Sequence, residues 1–234
     1  MPAPVIEADQ LPQGQDKVRA VRSMFDTIAP RYDLVNRVMT LRMDVGWRRR
    51  TVRDLALPHG AVVVDLACGT GDLCRELAAR GHHPIGMDLS FGMLAAARTV
   101  SPLVQADALR LPVPDAGVDG ATCGFALRNL VDLQPFFAEL ARVVRPLGRI
   151  ALLEVSEPPN RFLRWGHGVY FGRIVPRIGG LLSDKAAYRY LPRSVAYLPP
   201  PDQMLDQLGS AGFTDIRRTL LSTGIAQLVI ATRA

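Results

Sequence analysis

Residues 62–72 read Val-Val-Val-Asp-Leu-Ala-Cys-Gly-Thr-Gly-Asp, and the sequence Gly-Met-Asp follows at 86–88. In the first stretch a short apolar run leads into a turn of small residues. The second stretch ends a strand on an acid. This is how an α/β nucleotide-binding domain presents its backbone to a ligand and a carboxylate to a ribose. The pair of stretches predicts an α/β fold with a cofactor site at the ends of two neighbouring strands.

Strand and helix patterns alternate on both sides of this site. Apolar runs bounded by turn residues predict seven strands, at 61–67, 84–89, 103–106, 117–125, 149–155, 213–220 and 225–231. Helical periodicity predicts helices at 72–80, from Ser90 onward, at 133–144 and at 202–211. Such alternation indicates a Rossmann-like, mostly parallel sheet with helices on both faces. Gly224 predicts a tight turn before the last strand, which should therefore be antiparallel to its neighbour.

The flanking segments predict additions to a single domain over 17–234. Residues 1–16 are rich in acids and prolines and predict a flexible leader. Residues 17–57 carry apolar side chains at steps of three and four, which predicts an N-terminal helical cap. Residues 156–201 are rich in Pro, Gly, Arg and aromatic side chains. An unstructured loop of that length is unusual inside a compact domain, so we expect a helical insert or lid.

Composition excludes several classes of protein. The sequence has no apolar run long enough to cross a bilayer. Its first residues lack an apolar signal core, so no secretory peptide is expected. Its three cysteines have no metal-ligand spacing and suit a reducing cytoplasm, so no metal site is expected. The net charge of +6 comes almost entirely from arginine, since Lys17 and Lys185 are the only lysines. That charge is consistent with an anionic partner, either nucleic acid or a membrane surface, and equally with the codon bias of a GC-rich genome.

The glycine turn predicts a ligand with a charged amino group. Gly69 and Gly71 let the backbone approach a ligand without a Cβ in the way. Thr70 adds a hydroxyl at the same rim, and Asp65 at the end of the first strand can accept a hydrogen bond from an α-ammonium. An acid at this position would repel a dinucleotide pyrophosphate, and the dinucleotide pattern also needs a Gly or Ala where this chain has Cys74. The turn therefore favours S-adenosylmethionine.

Two further strand ends complete the predicted cofactor site. Asp88 follows the second strand and can accept from both ribose hydroxyls. Asp107 follows the third strand and can accept from the adenine amino group, with Ala108 beside the ring. An acid after each of the first three strands predicts a methyltransferase more specifically than the glycine turn alone.

Several runs elsewhere in the chain carry a family resemblance. They are residues 24–33, 64–73, 108–112, 125–129, 183–184 and 188–191, within a span from Val21 to about Ala231. The chain resembles the C-methyltransferases of menaquinone and ubiquinone biosynthesis, which have the class I S-adenosylmethionine-dependent fold. It departs from the family pattern at Ala126, where a Gly is frequent, and at Gly124, where a polar residue is frequent.

The resemblance implies an activity and a set of substrate residues. The activity is C-methylation of a reduced polyprenyl quinone, most directly of demethylmenaquinol to menaquinol. The cofactor positions Thr70, Asp88, Asp107 and Ala108 carry over. The residues implied near the substrate are Tyr32, Asp33, Arg128 and Asn129. In this interpretation Arg128 and Asn129 hold a quinol oxygen, Arg128 through a water, and Tyr32 or Asp33 completes a proton relay. The alternatives are a purely structural salt bridge at Arg128, and a helix cap or core contact at Tyr32 and Asp33.

Other functions stay open at this stage. A benzoquinol of the ubiquinone pathway, another small phenol or RNA could be the substrate, and a non-enzymatic ligand-binding protein is a further alternative. Arginines alternate with aromatic residues from Arg161 to Tyr197. That pattern is consistent with peripheral contact to the inner face of the cell membrane, a groove for a lipid tail, an RNA surface or a solvated face. Among the histidines, His167 in this insert is the one expected to approach a substrate.

Overall fold

The centre of the molecule is a seven-stranded sheet with the order β3-β2-β1-β4-β5-β7-β6. The computed structural model describes residues 13–162, 164, 166 and 194–234. The strands are β1 Val62–Leu66, β2 His83–Asp88, β3 Leu103–Gln105, β4 Val118–Gly124, β5 Val144–Val155, β6 Phe213–Leu221 and β7 Ala226–Arg233. Six strands run in one direction and β7 is antiparallel to both of its neighbours. This confirms the predicted doubly wound, mostly parallel sheet.

Helices cover both faces of the sheet. They are α1 Gly14–Ile28, α2 Tyr32–Met39, α3 Met43–Leu55, α4 Asp72–Ala79, α5 Phe91–Ala95, α6 Leu133–Val143 and α7 Pro201–Ser210. On one face the fully buried Phe136 and Phe137 of α6 pack in the same core as Val64 of β1. On the other face Leu55 of α3 and Leu77 of α4 form a second core. Most residues of β1 and β4 are buried, as expected for central strands of a parallel sheet that is covered on both faces.

Helices lie where the periodicity of residues 17–57 predicted them. Much of the predicted insert, including His167, and residues 1–12 of the predicted leader lie outside the described residues. Within the part of the chain that the structure describes, no helix is both long enough and apolar enough to cross a membrane.

One strand begins earlier than the sequence predicted. Residues 145–148 read as a turn, but β5 already starts at Val144, directly after α6. Val144 pairs with Val118, and the register then shifts before Gly120 pairs with Arg149. Leu147 has a φ of 63° inside this irregularity. The residues predicted as a turn therefore form a bulge within a strand that is already paired with β4.

Candidate active site

A cavity of about 450 Å³ lies at the carboxyl ends of β1, β2, β3 and β4. Ligands of open α/β sheets bind at this edge. The strand ends contribute polar groups to the cavity, among them Asp88 and Asp107. Helix α1 contributes a largely apolar wall through Val18, Val21 and Phe25. The cavity therefore combines a polar side on the sheet with an apolar side under α1.

The carboxylate of Asp88 is held in place by backbone donors. The N–H of Gly69 donates to its Oδ2 and the N–H of Ser90 donates to its Oδ1, each at 2.8 Å. Burial raises the pKa of Asp88 above its ordinary value. Two N–H bonds on separate oxygens fix the plane of the carboxylate at the cavity wall, which suits an acceptor for a pair of vicinal hydroxyls.

The glycine turn brings backbone against the cavity. Gly69 and Gly71 have φ values of 56° and 83°, which favour glycine. A Cβ on Gly71 would lie 2.7 Å from Cγ2 of Thr99, so a larger residue would displace either the turn or the Thr99 side chain. The hydroxyl of Thr70, between the two glycines, donates to the carboxylate of Asp33 rather than facing the cavity. The predicted cofactor residue Thr70 and the predicted substrate residue Asp33 thus form one buried pair beside the site.

Asp65 lies beneath the turn, outside the set of residues that line the cavity. Only 1% of it is exposed, and its Oδ1 accepts a 2.7 Å hydrogen bond from the hydroxyl of Thr122. Cys74 Sγ donates to its other oxygen at 3.5 Å. Burial raises the pKa of Asp65 to about 7. Any contact between Asp65 and a ligand ammonium therefore requires the turn to adjust or a water to intervene.

The predicted adenine side has an acid and small apolar neighbours. Asp107 and Ala108 both line the cavity, together with Leu89 and Met93. Oδ1 of Asp107 accepts from the N–H of Leu109 at 2.9 Å, which orients the carboxylate. These residues would hold an adenine ring between apolar side chains with an acceptor at its edge.

The four predicted substrate residues separate into two layers. Tyr32 and Asn129 line the cavity, whereas Asp33 and Arg128 are buried and lie outside its lining. Arg128 is buried beneath it, where its guanidinium pairs with Glu154 and its Nε donates to Ser194 Oγ at 3.1 Å. This arrangement is the buried ion pair that the sequence allowed as the alternative to contact with substrate. The catalytic roles of all four residues stay predictions.

Sequence reasoning missed two groups of residues around the site. The apolar face of α1 was predicted only as a helix face, whereas it closes the cavity. Glu154, the partner of Arg128, was not singled out. Its acid side chain inside the apolar strand sequence Ala-Leu-Leu-Glu-Val was the available signal, since a carboxylate in a central strand requires a buried partner.

The residues present fit S-adenosylmethionine. The orientation of Asp88 suits ribose hydroxyls, the pocket at Asp107 and Ala108 suits an adenine edge, and the glycine turn leaves backbone exposed to the amino-acid part. The cavity also has an apolar wall, formed by α1 and by Phe125, Ala126, Leu130 and Val131.

Comparison with known proteins agrees with this reading. A family model described as the ubiE/COQ5 methyltransferase family matches residues 13–233. A demethylmenaquinone methyltransferase of Thermus thermophilus is 42% identical over 221 residues, covering 90% of this chain and all of that protein. A ubiquinone/menaquinone biosynthesis C-methyltransferase UbiE of Syntrophotalea carbinolica is 40% identical and covers 94% of this chain and 95% of that protein.

Solved structures share the fold at low identity. An S-adenosylmethionine-dependent methyltransferase of Thermotoga maritima has a TM-score of 0.64 at 17% identity, covering 91% of this chain and 99% of that one. Phosphoethanolamine N-methyltransferase 2 of Haemonchus contortus, solved with S-adenosyl-L-methionine, has a TM-score of 0.59 at 13% identity and covers 80% of this chain and 52% of that one. The fold is that of class I methyltransferases, as the sequence predicted.

Proposed function

This chain belongs to the ubiE/COQ5 methyltransferase family, and we propose that it methylates a ring carbon of demethylmenaquinol to give menaquinol. The methyl donor of the enzyme is S-adenosylmethionine. The observation that carries the proposed substrate is the 42% identity to the Thermus thermophilus demethylmenaquinone methyltransferase along that protein's full length. The apolar wall of the cavity under α1 supports a lipophilic ring as the second ligand.

The chemistry sets three tasks for the protein. When bound, S-adenosylmethionine supplies an electrophilic methyl group. The chain must ionise a hydroxyl of the quinol, because a phenolate concentrates electron density on the adjacent ring carbon. It must hold that carbon in line for transfer, since alignment can supply much of the rate. It must also exclude water and provide a route for the proton that the methylated ring carbon loses.

The residues of the site divide these tasks in our proposal. Asn129 and Tyr32, which line the cavity, contact the oxygen of the quinol that ionises. Arg128 acts from beneath through a water or through Asn129, because its guanidinium is committed to Glu154. A guanidinium stays protonated, so it lowers the pKa of a nearby phenol and does not serve as the base. Asp33 positions Thr70 at the cofactor turn.

The cofactor contacts are proposed in the same way. Asp88 accepts from the ribose hydroxyls, and Asp107 accepts from the adenine amino group beside Ala108. The backbone of Gly69, with Gly71, approaches the amino-acid part. Asp65 acts on its ammonium from the layer beneath.

The test is methyl transfer from labelled S-adenosylmethionine to a reduced demethylmenaquinone with a short tail. We expect labelled menaquinol from the wild type and strongly reduced product from Asp88→Ala and Asn129→Ala. Asp16→Ala serves as the matched control, because this acid is exposed on α1 and pairs with Arg19 at 2.5 Å. Binding of S-adenosylmethionine without methylation of any quinol would contradict the proposed substrate.

A benzoquinol is the second candidate substrate. The name of the Syntrophotalea carbinolica relative covers both ubiquinone and menaquinone biosynthesis. Competition between equal concentrations of naphthoquinol and benzoquinol in the same assay decides between them. Preferential methylation of the benzoquinol would replace the first proposal.

We also propose a cytoplasmic location with peripheral contact to the membrane through residues 156–201. The support is the polyprenyl tail of the proposed substrate together with the arginine and aromatic content of that segment. Co-sedimentation with anionic vesicles, compared with neutral ones, tests it. Equal recovery in the supernatant with both would contradict it.

A further inference from the structure

Helix α1 closes the cavity over the cofactor side. Val18, Val21, Arg22 and Phe25 on this helix line the same cavity as Asp88 and Asp107. A ligand that enters between the strand ends and α1 therefore depends on how firmly α1 is attached to the sheet. The attachment at the cofactor end is made by a residue outside the predicted site.

That residue is Asp26, the neighbour of Phe25 on α1. Its Oδ1 accepts a hydrogen bond of 2.5 Å from the hydroxyl of Ser90 and one of 2.9 Å from the N–H of Gly92. The approach is close, since a Cβ on Gly92 would lie 2.9 Å from Cα of Asp26. Ser90 is the N-cap residue of α5 and Gly92 lies in the first turn of that helix, which follows closely on the strand that ends in Asp88.

The same serine also holds the carboxylate proposed to bind ribose. The N–H of Ser90 donates to Asp88 Oδ1 at 2.8 Å, while its hydroxyl oxygen accepts from the N–H of Met93 at 3.1 Å and caps α5. Ser90 is buried. A continuous path of hydrogen bonds therefore runs from α1 through Asp26 and Ser90 to Asp88.

We propose that Asp26 is a positioning residue that couples occupancy of the ribose site to closure of α1. A ribose held by Asp88 fixes the segment from Asp88 to Gly92, and that segment presents both of its donors to Asp26. Closure of α1 then slows departure of the cofactor. Coupling of this kind is reciprocal, so a change that weakens the contact between Asp26 and α5 also lowers the affinity for the cofactor. The inference rests on the proposed placement of ribose at Asp88.

The strength of the contact comes from charge. Hydrogen bonds to a carboxylate are stronger than those to a neutral acceptor. Asp26→Asn keeps a carbonyl oxygen that can accept from Ser90 and Gly92, whereas Asp26→Ala keeps no acceptor. Asp26 has a second, weak partner in Arg22, at 4.0 Å on the exposed side.

The experiment measures binding of S-adenosylhomocysteine by calorimetry, and hydrogen exchange of the amides of α1 with and without it. We expect Asp26→Ala to raise the Kd about tenfold, the loss of about one charge-assisted hydrogen bond. Asp26→Asn should raise it by a smaller factor, and Asp16→Ala, an exposed change on the same helix, should leave it unchanged. In the wild type the ligand should slow exchange along α1, and in Asp26→Ala this slowing should be lost. A merely structural role for Asp26 would change exchange equally in both states.

Two results would overturn the coupling. One is wild-type affinity in Asp26→Ala with the slowing of exchange along α1 retained. The other is wild-type affinity in Asp88→Ala. It would show that Asp88 does not bind the ribose, and the proposed coupling would then fail. Loss of affinity in Asp88→Ala without loss in Asp26→Ala leaves the proposed cofactor site standing and contradicts the coupling alone. The assay contains no quinol, so its result is independent of the proposed substrate.

Discussion

At the scale of single residues, the buried carboxyl of Asp65 decides how the site responds to pH. Burial raises its pKa to about 7. A bound ammonium beside it would lower that pKa, so the free protein holds more protons than the complex below about pH 7. Affinity for S-adenosylhomocysteine should therefore rise between pH 5.5 and about pH 7, by at most about tenfold per pH unit, and then level off. Calorimetric titration across this range measures it.

The control is Asp65→Asn. Its affinity should be weaker and should lack most of the rise, with a remainder from Asp88, whose pKa burial also raises. The same substitution should increase the free energy of unfolding at pH 8. In the wild type a carboxyl with a raised pKa costs stability as pH rises from 3.8 to about 7, and the full cost is present above that window. If the affinity of Asp65→Asn rose with pH as steeply as that of the wild type, Asp65 would not be the group responsible for the rise.

The buried ion pair of Arg128 and Glu154 should contribute to the stability of the fold. The side chains of Arg128 and Glu154 are 7% and 1% exposed, so removing one partner leaves an uncompensated buried charge. Arg128→Met should lower the free energy of unfolding by about 3–5 kcal/mol. Arg50→Met is the matched control, because its pair with Asp54 on α3 is partly exposed and should cost less than about 1 kcal/mol. Urea titration measures both, and equal costs would refute a structural role for the buried pair.

At the scale of elements, Lys17 attaches the first turns of α1 to the rest of the molecule. Nζ of Lys17 donates to the carbonyl of Leu130 at 2.6 Å and lies 3.6 Å from the ring centroid of Tyr197. Burial lowers the pKa of Lys17 from 10.5 to about 8. Between these values the unfolded chain binds more protons than the folded protein, so this lysine should make stability rise with pH across that window.

The measurement compares the free energy of unfolding of the wild type and Lys17→Met from pH 7.5 to pH 10. The free energy of unfolding of the wild type should increase relative to that of Lys17→Met as pH rises, because the folded wild type no longer holds a buried charge. Arg19→Met, an exposed change on the same helix, should show no such trend. A constant difference between wild type and Lys17→Met would mean that the ammonium is not desolvated by the contact.

The elements themselves were largely predictable, and the contacts between them were not. Apolar runs bounded by turn residues placed the strands, and helical periodicity placed the helices. Acids at strand ends placed Asp88 and Asp107 at one edge of the sheet. The predicted start of β5 was wrong. Residues 145–148 have the composition of a turn, but the pairing of Val144 with Val118 extends the strand through them. The pairing of Thr70 with Asp33 joins positions far apart in the chain, and such contacts exist only once helices dock on the sheet.

At the scale of the whole molecule, the site joins parts of the chain that are distant in sequence. The ends of β1 to β4 form the floor of the cavity, and α1 forms the opposite wall. Those strands share the sheet with β7, which is inserted between β5 and β6. Binding at the site therefore involves both the N-terminal helix and the central sheet, and a ligand there should stabilise the fold as one unit.

This leads to a prediction for thermal unfolding. S-adenosylhomocysteine at a hundredfold excess over its Kd should stabilise the protein by about 2.7 kcal/mol, because it binds the folded state alone. For a chain of 234 residues that corresponds to a rise in Tm of about 5–10 °C. Calorimetry at the same ligand concentration should show little rise for Asp88→Ala. A saturated wild type that rises by less than about 2 °C would mean that unfolding begins in a unit that excludes the site, because two-state unfolding would transmit the whole binding energy to Tm.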